Sequence, residues 1–112
     1  MGLTASPASI DRTLAALAAP QRRRAVDLLR ERPHSAGELA QALHLSPPVM
    51  SRHLRVLRQN GLVDETHPAF DARVRVYALR PEPMQDLKAW LEETERLWTA
   101  QLAAFKAHVE MT

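Results

Sequence analysis

"SPPVMSRHLRVLRQNGLV", residues 46–63, joins a capping serine to two prolines, a helical stripe and a turn signal. Ser46 stands where a side-chain oxygen can accept from a free amide at a helix start. Pro47 and Pro48 fall in the first turn, where backbone N–H groups lack intrahelical partners and their loss costs little. Because a residue before proline is disfavoured in the helical region, Pro47 belongs at the edge of this helix. Met50, Leu54 and Leu57 recur at helical steps and form the face that should be buried. Asn60-Gly61 closes the helix in a left-handed cap; the pair can also make a hairpin turn, but helical spacing runs right up to it. With side chains advancing by roughly 100° per residue, Pro48, Arg52, Arg55 and Gln59 face away from the stripe. Val49 and Val56 lie beside them, and Ser51 and His53 occupy the flanks. Ser46 and the free N–H groups suit a phosphate, and Arg52 is placed to reach base edges. A helix that begins so abruptly offers its first two turns to another molecule.

Working outward, "SAGELAQAL" has Ser35 and Glu38 at capping-box spacing, which opens a third helix with Leu39, Ala40 and Leu43 inward. "HLSP" breaks it, so two helices are joined by a short turn. Downstream, "LVDETHP" and "RVRVYAL" are β-rich and flank "AFDA", which reads as a two-stranded hairpin with a basic return strand carrying Arg73 and Arg75. Upstream, Ile10, Leu14 and Leu17 mark a first helix over residues 9–18. Pro20 suits the start of a second, "PQRRRAVDLLRER", which should bury Ala25, Leu28 and Leu29 and stop before Pro33. Its Arg22-Arg23-Arg24 run reads as a solvated helix start.

Beyond Pro81 and Pro83 the pattern becomes one long helix over residues 84–110. Met84, Leu87, Leu91, Thr94, Trp98, Leu102, Phe105 and Val109 recur at steps of three or four, and Trp90 and Leu97 add a second stripe. Such a helix would extend for about 40 Å, more than a small domain can cover alone. One face is expected to pack on the body and the other on a second copy of the chain. The expected fold is mainly α with a small β-hairpin: a winged helix-turn-helix of four helices, two strands and a fifth helix, forming a single domain over residues 1–112.

Composition narrows the function. At 112 residues, 46% hydrophobic and 25% charged, the chain describes one ordinary globular domain. It has no cysteine, which removes disulfides, thiolate metal sites and cysteine nucleophiles and fits a reducing, cytoplasmic setting. The opening stretch lacks the basic lead and long apolar run of an export signal, and no run approaches the roughly 20 apolar residues of a membrane span. Net charge is +2, but residues 1–80 hold 12 Arg and no Lys against 7 acids, whereas residues 81–112 hold 3 basic groups against 6 acids. The first part therefore suits a polyanion and the second a different task. Use of arginine alone fits bidentate contacts to phosphate or guanine, although an arginine-rich genome explains the preference equally well.

"LAAPQRRRAVDLL", "ELAQALHLSPPVMSRHLRVLRQNGLV" and "RVRVYAL" together resemble the ArsR family of bacterial winged-helix transcriptional regulators, in order and spacing, over roughly residues 14 to 80. The resemblance implies a homodimeric repressor on a double-stranded, pseudo-palindromic DNA operator, often its own, released by an effector. It makes residues 47–60 the recognition helix, puts Arg73 and Arg75 on the wing and assigns the first and last helices to the dimer. DNA contacts are then expected from Ser35, Ser46, Pro48, Val49, Ser51, Arg52, His53, Arg55, Arg73 and Arg75. Dimer contacts are expected from Leu14, Leu87, Leu91, Trp98, Leu102 and Phe105. The chain departs from the family where Pro47, Pro48 and Val49 replace polar residues after the cap, leaving Val49 to touch a thymine methyl. Asp71 and Ala72 replace a glycine near the wing tip, which leaves the turn geometry open.

A metal is not expected. The family's cysteine pair is impossible here, and the site on its last helix needs an Asp-x-His where Asp86 is followed by Lys88. His108 and Glu110 have no second histidine at matching distance, and the remaining histidines suit surface or capping roles. No cofactor is expected either; a small-molecule effector of unknown identity is a partner the resemblance admits. Catalysis finds no phosphate loop, nucleophile elbow or zinc-protease motif, and Ser51 and His53, two apart on a helix, lie on different faces. A winged-helix module that binds protein instead of DNA is the alternative. Arg52, Arg55, Arg73 and Arg75 weigh against it, since four like charges suit a polyanion better than a typical protein surface.

Overall fold

The computed structural model describes residues 7–111; the opening six residues, part of the stretch read above as carrying no export signal, lie outside the described residues, as does Thr112. Eight elements follow in order: α1 Pro7–Leu17, α2 Pro20–Leu29, β1 His34–Ser35, α3 Ala36–Leu43, α4 Pro47–Gln59, β2 Val63–Thr66, β3 Val76–Leu79 and α5 Pro81–Glu110. The helices begin where the chain supplies caps or prolines. Ser35 accepts from the Glu38 amide at 3.1 Å while the Glu38 carboxylate accepts from the Ser35 amide at 2.9 Å, the reciprocal box expected from their spacing. Ser46 accepts more weakly from the Val49 amide, at 3.4 Å, and Pro47 and Pro48 occupy the first turn of α4. Gly61, with φ +78°, provides the left-handed residue after α4. His44, with φ 57°, does the same for α3, a conformation that costs a residue with a Cβ more than glycine.

The core lies where α2, α3 and α4 meet the sheet. Leu39, Met50, Leu54, Leu57, Leu62, Val63 and Tyr77 are all at most 2% exposed, and Ala25, Val26 and Leu29 of α2 join them. No buried side-chain nitrogen or oxygen among the described residues lacks a partner, so the core is also closed in hydrogen bonding.

Several expectations need correction. The sheet has three antiparallel strands in the order β1-β3-β2, not two. His34 and Ser35 pair with Tyr77 and Val76, and Val63 to Thr66 pair with Leu79 to Val76. A two-residue strand has no alternation to read; it exists because β3 has a free edge and buried His34 is anchored by its Nδ1–H to the Arg32 carbonyl at 2.8 Å. The first helix spans Pro7–Leu17 instead of 9–18, and α2 stops at Leu29, short of Arg32. Leu28 and Leu43 are half-buried, and Val26 takes the buried place assigned to Leu28. The last helix starts at Pro81, not at 84, because prolines in a first turn remove only donors without intrahelical partners.

α5 packs against α1, yet none of its 30 residues is buried. At 1.5 Å per residue it is about 45 Å long, and the chain measures 70 × 35 × 22 Å. Its outer portion therefore stands clear of the body.

Candidate nucleic-acid interface

α4 meets the core through Met50, Leu54 and Leu57 and turns its other side outward, as the helical spacing predicts. Pro48, Arg52 and Arg55 are exposed, Val49 is half-buried beside them, and Ser46 caps the exposed start. Neither Arg52 nor Arg55 has a carboxylate partner among the described residues, whereas Arg58 pairs with Glu65 at 3.2 Å. Unpaired guanidinium groups on a helix whose opposite face is locked into the core are free to contact an external anion.

The two wing arginines separate. Arg73 is on the tip loop with its side chain 93% exposed, and Asp71 accepts from both its amide (3.0 Å) and its Nε (3.3 Å). Asp71 thus organises the turn that a glycine would otherwise make. Arg75 instead turns back and donates to the Ser51 hydroxyl at 3.0 Å, half-buried against α4. Its place is therefore at the root of the wing, where it ties the strand to the recognition helix. Arg55, Arg58, Arg75 and Gln59 share with Glu65 and Tyr77 a cleft of about 420 Å³. Within it Glu65 accepts from Arg58 and from the Tyr77 hydroxyl (3.0 Å), and burial together with that bond raises the Tyr77 pKa. The single carboxylate in the cleft is thereby compensated, and the surface keeps its basic character. Ser35 holds the start of α3 through its hydroxyl.

His53 is half-buried and faces inward, receiving a hydrogen bond from Arg22 at 3.3 Å on Nδ1. Desolvation, then the charges of Arg22 and Arg52, lower its pKa and keep the ring neutral near pH 7. Arg22 itself corrects the reading of a solvated run. It donates from Nε to the Ala16 carbonyl at 2.6 Å, and Arg23 donates to the Leu17 carbonyl at 2.8 Å, so both close the last turn of α1. Runs of arginine at a helix start carry no local sign of such a partner; only a preceding helix ending one turn earlier hints at it.

Of the residues expected at a dimer contact, Leu87 is half-buried and Leu14, Leu91, Trp98, Leu102 and Phe105 are exposed. Among the described residues no three metal-ligating side chains are gathered. No helix is long and apolar enough to cross a membrane.

Comparison with known proteins places this geometry. Residues 19–65, from the start of α2 into β2, match the family described as bacterial regulatory protein, arsR family. The HTH-type transcriptional regulator Rv2034 of Mycobacterium tuberculosis is 38% identical over 97 residues, covering 87% of this chain and 85% of the relative. The chain belongs to the ArsR family. The transcriptional repressor SdpR of Bacillus subtilis is 29% identical over 76 residues, covering 68% of this chain and 81% of its own length. Among solved structures, an ArsR-like transcriptional regulator from Rhodococcus sp. RHA1 superposes with a TM-score of 0.79 at 27% identity, covering 94% of each chain. The ArsR family transcriptional regulator RHA00566 gives 0.76 at 29%, covering 87% of this chain and 97% of the other. The protein is accordingly a transcriptional regulator with a DNA-binding winged helix and not an enzyme, and within the family it is a cysteine-free member.

Proposed function

We propose that this ArsR-family protein is a homodimeric, sequence-specific repressor acting in the cytoplasm on a pseudo-palindromic operator, its own transcription unit among the targets. The observation that carries the reading is the outward face of α4, where Arg52 and Arg55 lack carboxylate partners among the described residues and Arg55 lines a cleft together with Arg58 and Arg75. Arg52 reads a base edge in the major groove, Val49 touches a thymine methyl, and Arg55, Arg73, Ser35, Ser46 and Ser51 position phosphates. Arg75 reaches the same backbone from the root of the wing. Pairing of two copies supports two recognition helices about 34 Å apart, in successive major grooves.

The apolar residues left outside on α5 support that pairing. Trp98 is 69% and Phe105 64% exposed, and together with Leu91 and Leu102 they make a surface that a second copy, bearing the same stripe, can cover. The test is selection of bound sequences from random duplex DNA at two salt concentrations, with solution mass measured in parallel. Recovery of a two-fold symmetric site with half-sites one helical turn apart is expected. Equal binding of all sequences, or a monomer that binds none at low salt, overturns the reading and favours a protein-binding winged helix.

A further inference from the structure

The recognition helix is attached to the rest of the molecule by its apolar stripe, by the Arg75–Ser51 and Arg58–Glu65 contacts on the wing side, and by a polar bridge through Arg22 on the side of α1 and α2. The Arg22 guanidinium reaches the Ala16 carbonyl at 2.6 Å and the Ala15 carbonyl at 3.4 Å on one side, and His53 Nδ1 at 3.3 Å on the other. Ala15 and Ala16 lie in the last turn of α1, the helix on which α5 packs; His53 lies on α4, next to Arg52. A single planar fork thus connects the terminal-helix pair with the helix that faces DNA.

Apolar contacts hold a helix against a core but define its rotation about its own axis loosely, because dispersion is not directional. A guanidinium with donors in a fixed plane does define it. We propose that Arg22 is a positioning residue that sets the rotation of α4 relative to α1, with His53 as its acceptor, so that Arg52 arrives at the base edge in register. The inference rests on the DNA-binding reading above, and it adds a residue that touches no DNA.

The bridge has a chemical condition. An arginine can only donate, so Nδ1 must keep its lone pair, and the ring must stay neutral or lose the bond. The charged groups acting on the ring are Arg22 on α2 and Arg52 on α4 itself, both cationic, so a proton on His53 replaces an attraction by a repulsion. As the pH falls below the ordinary histidine value near 6.5 and through the lower value in the folded protein, the bridge opens. Discrimination between operator and random duplex should fall with it. A protonated His53 acting simply as an extra cation toward DNA would do the opposite, tightening every duplex alike.

The experiment compares wild type, Arg22→Gln, Arg22→Lys and His53→Gln as full chains. It combines an NMR titration of the His53 ring with affinity for the selected operator and for random duplex at several salt concentrations and two pH values. Arg22→Gln should move the ring titration and reduce operator preference on the order of tenfold, a change comparable to one mismatched base pair. The salt slope should stay unchanged, since the Arg22 donors are engaged within the protein. Arg22→Lys keeps the charge but not the fork and should not restore preference. His53→Gln keeps an acceptor that gains no proton, so its preference should no longer decline on acidification.

An unchanged ring titration in Arg22→Gln overturns the proposal. So does a salt slope reduced by about one unit per protomer, which would make Arg22 a phosphate contact, and so does a lower melting temperature with operator preference intact. A shifted ring titration in a protein that prefers no duplex supports the bridge and removes the DNA-binding reading instead.

Discussion

Leucines in the body and leucines on α5 belong to the same residue type and have opposite fates. Leu39, Leu54, Leu57 and Leu62 are at most 1% exposed, each closed over by side chains from other elements. Leu91, Leu97 and Leu102 of α5 are about half exposed, although they sit on stripes just as regular. Periodicity states that a face is meant to be covered, and only the arrangement of neighbours says by what. In the body the cover comes from α2, α3 and the sheet; α5 packs on α1 and touches the core near its start through Met84, and its large apolar residues from Trp90 onward stay about half exposed or more. The contrast separates an apolar face closed within the chain from one that the chain itself leaves open.

The sharpest way to break this contrast is to remove a leucine from each region. Leu54→Ala should destabilise the fold by about 2–5 kcal/mol through the cavity left behind, whereas Leu102→Ala should leave the unfolding of the isolated chain nearly unchanged. Urea denaturation of both variants at low protein concentration checks it; equal losses would mean that the outer part of α5 is already covered. Next in size is Trp98→Glu, which places a charge in the proposed pair contact. Sedimentation should then show a single chain, and operator affinity should fall because two half-sites are no longer engaged together. A dimer mass that persists moves the contact elsewhere.

Smaller effects sharpen the comparison inside the body. Arg52→Ala should cost about 1–3 kcal/mol of operator affinity and broaden the selected sequences at one position per half-site, without changing stability. Ser35→Ala should lower stability by about 1 kcal/mol through loss of the cap. Glu38 gives the cap a pH signature. Its hydrogen bond with Ser35, followed by its bond with Arg32, holds its pKa below the ordinary value near 4.5. The box therefore contributes fully above that value and is lost as the pH falls through the lower one in the folded state. Acid unfolding of Glu38→Gln should accordingly be less steep in that window. The smallest expected change is in Arg73→Ala, whose side chain is already shared with Asp71: the slope of affinity against salt should fall by no more than about one unit.

Local features are legible in the sequence. The Ser35 and Glu38 box, the Ser46 cap with its two prolines, the left-handed Gly61 and the Met50, Leu54 and Leu57 stripe depend on residues within one or two turns of each other. The same locality is why the outward side of α4 could be named residue by residue. Illegible were contacts between residues distant in the chain: Arg22 with His53, 31 positions apart, and Arg75 with Ser51, 24 apart. A flexible arginine has many reachable acceptors, and nothing in its neighbours along the chain selects one. The strand at His34 and Ser35 was missed for a related reason, since two residues cannot display a period and their pairing is decided by the free edge of β3.

The order of caps, stripes and breakers by itself determined a helix-turn-helix with a hairpin behind it and a long apolar helix at the end, because such signals act between near neighbours. Which arginines remain available to a duplex and which are used to hold helices together was decided only when the chain closed on itself. A guanidinium is bound by whatever acceptor folding brings within reach, and that depends on the packing of the whole body.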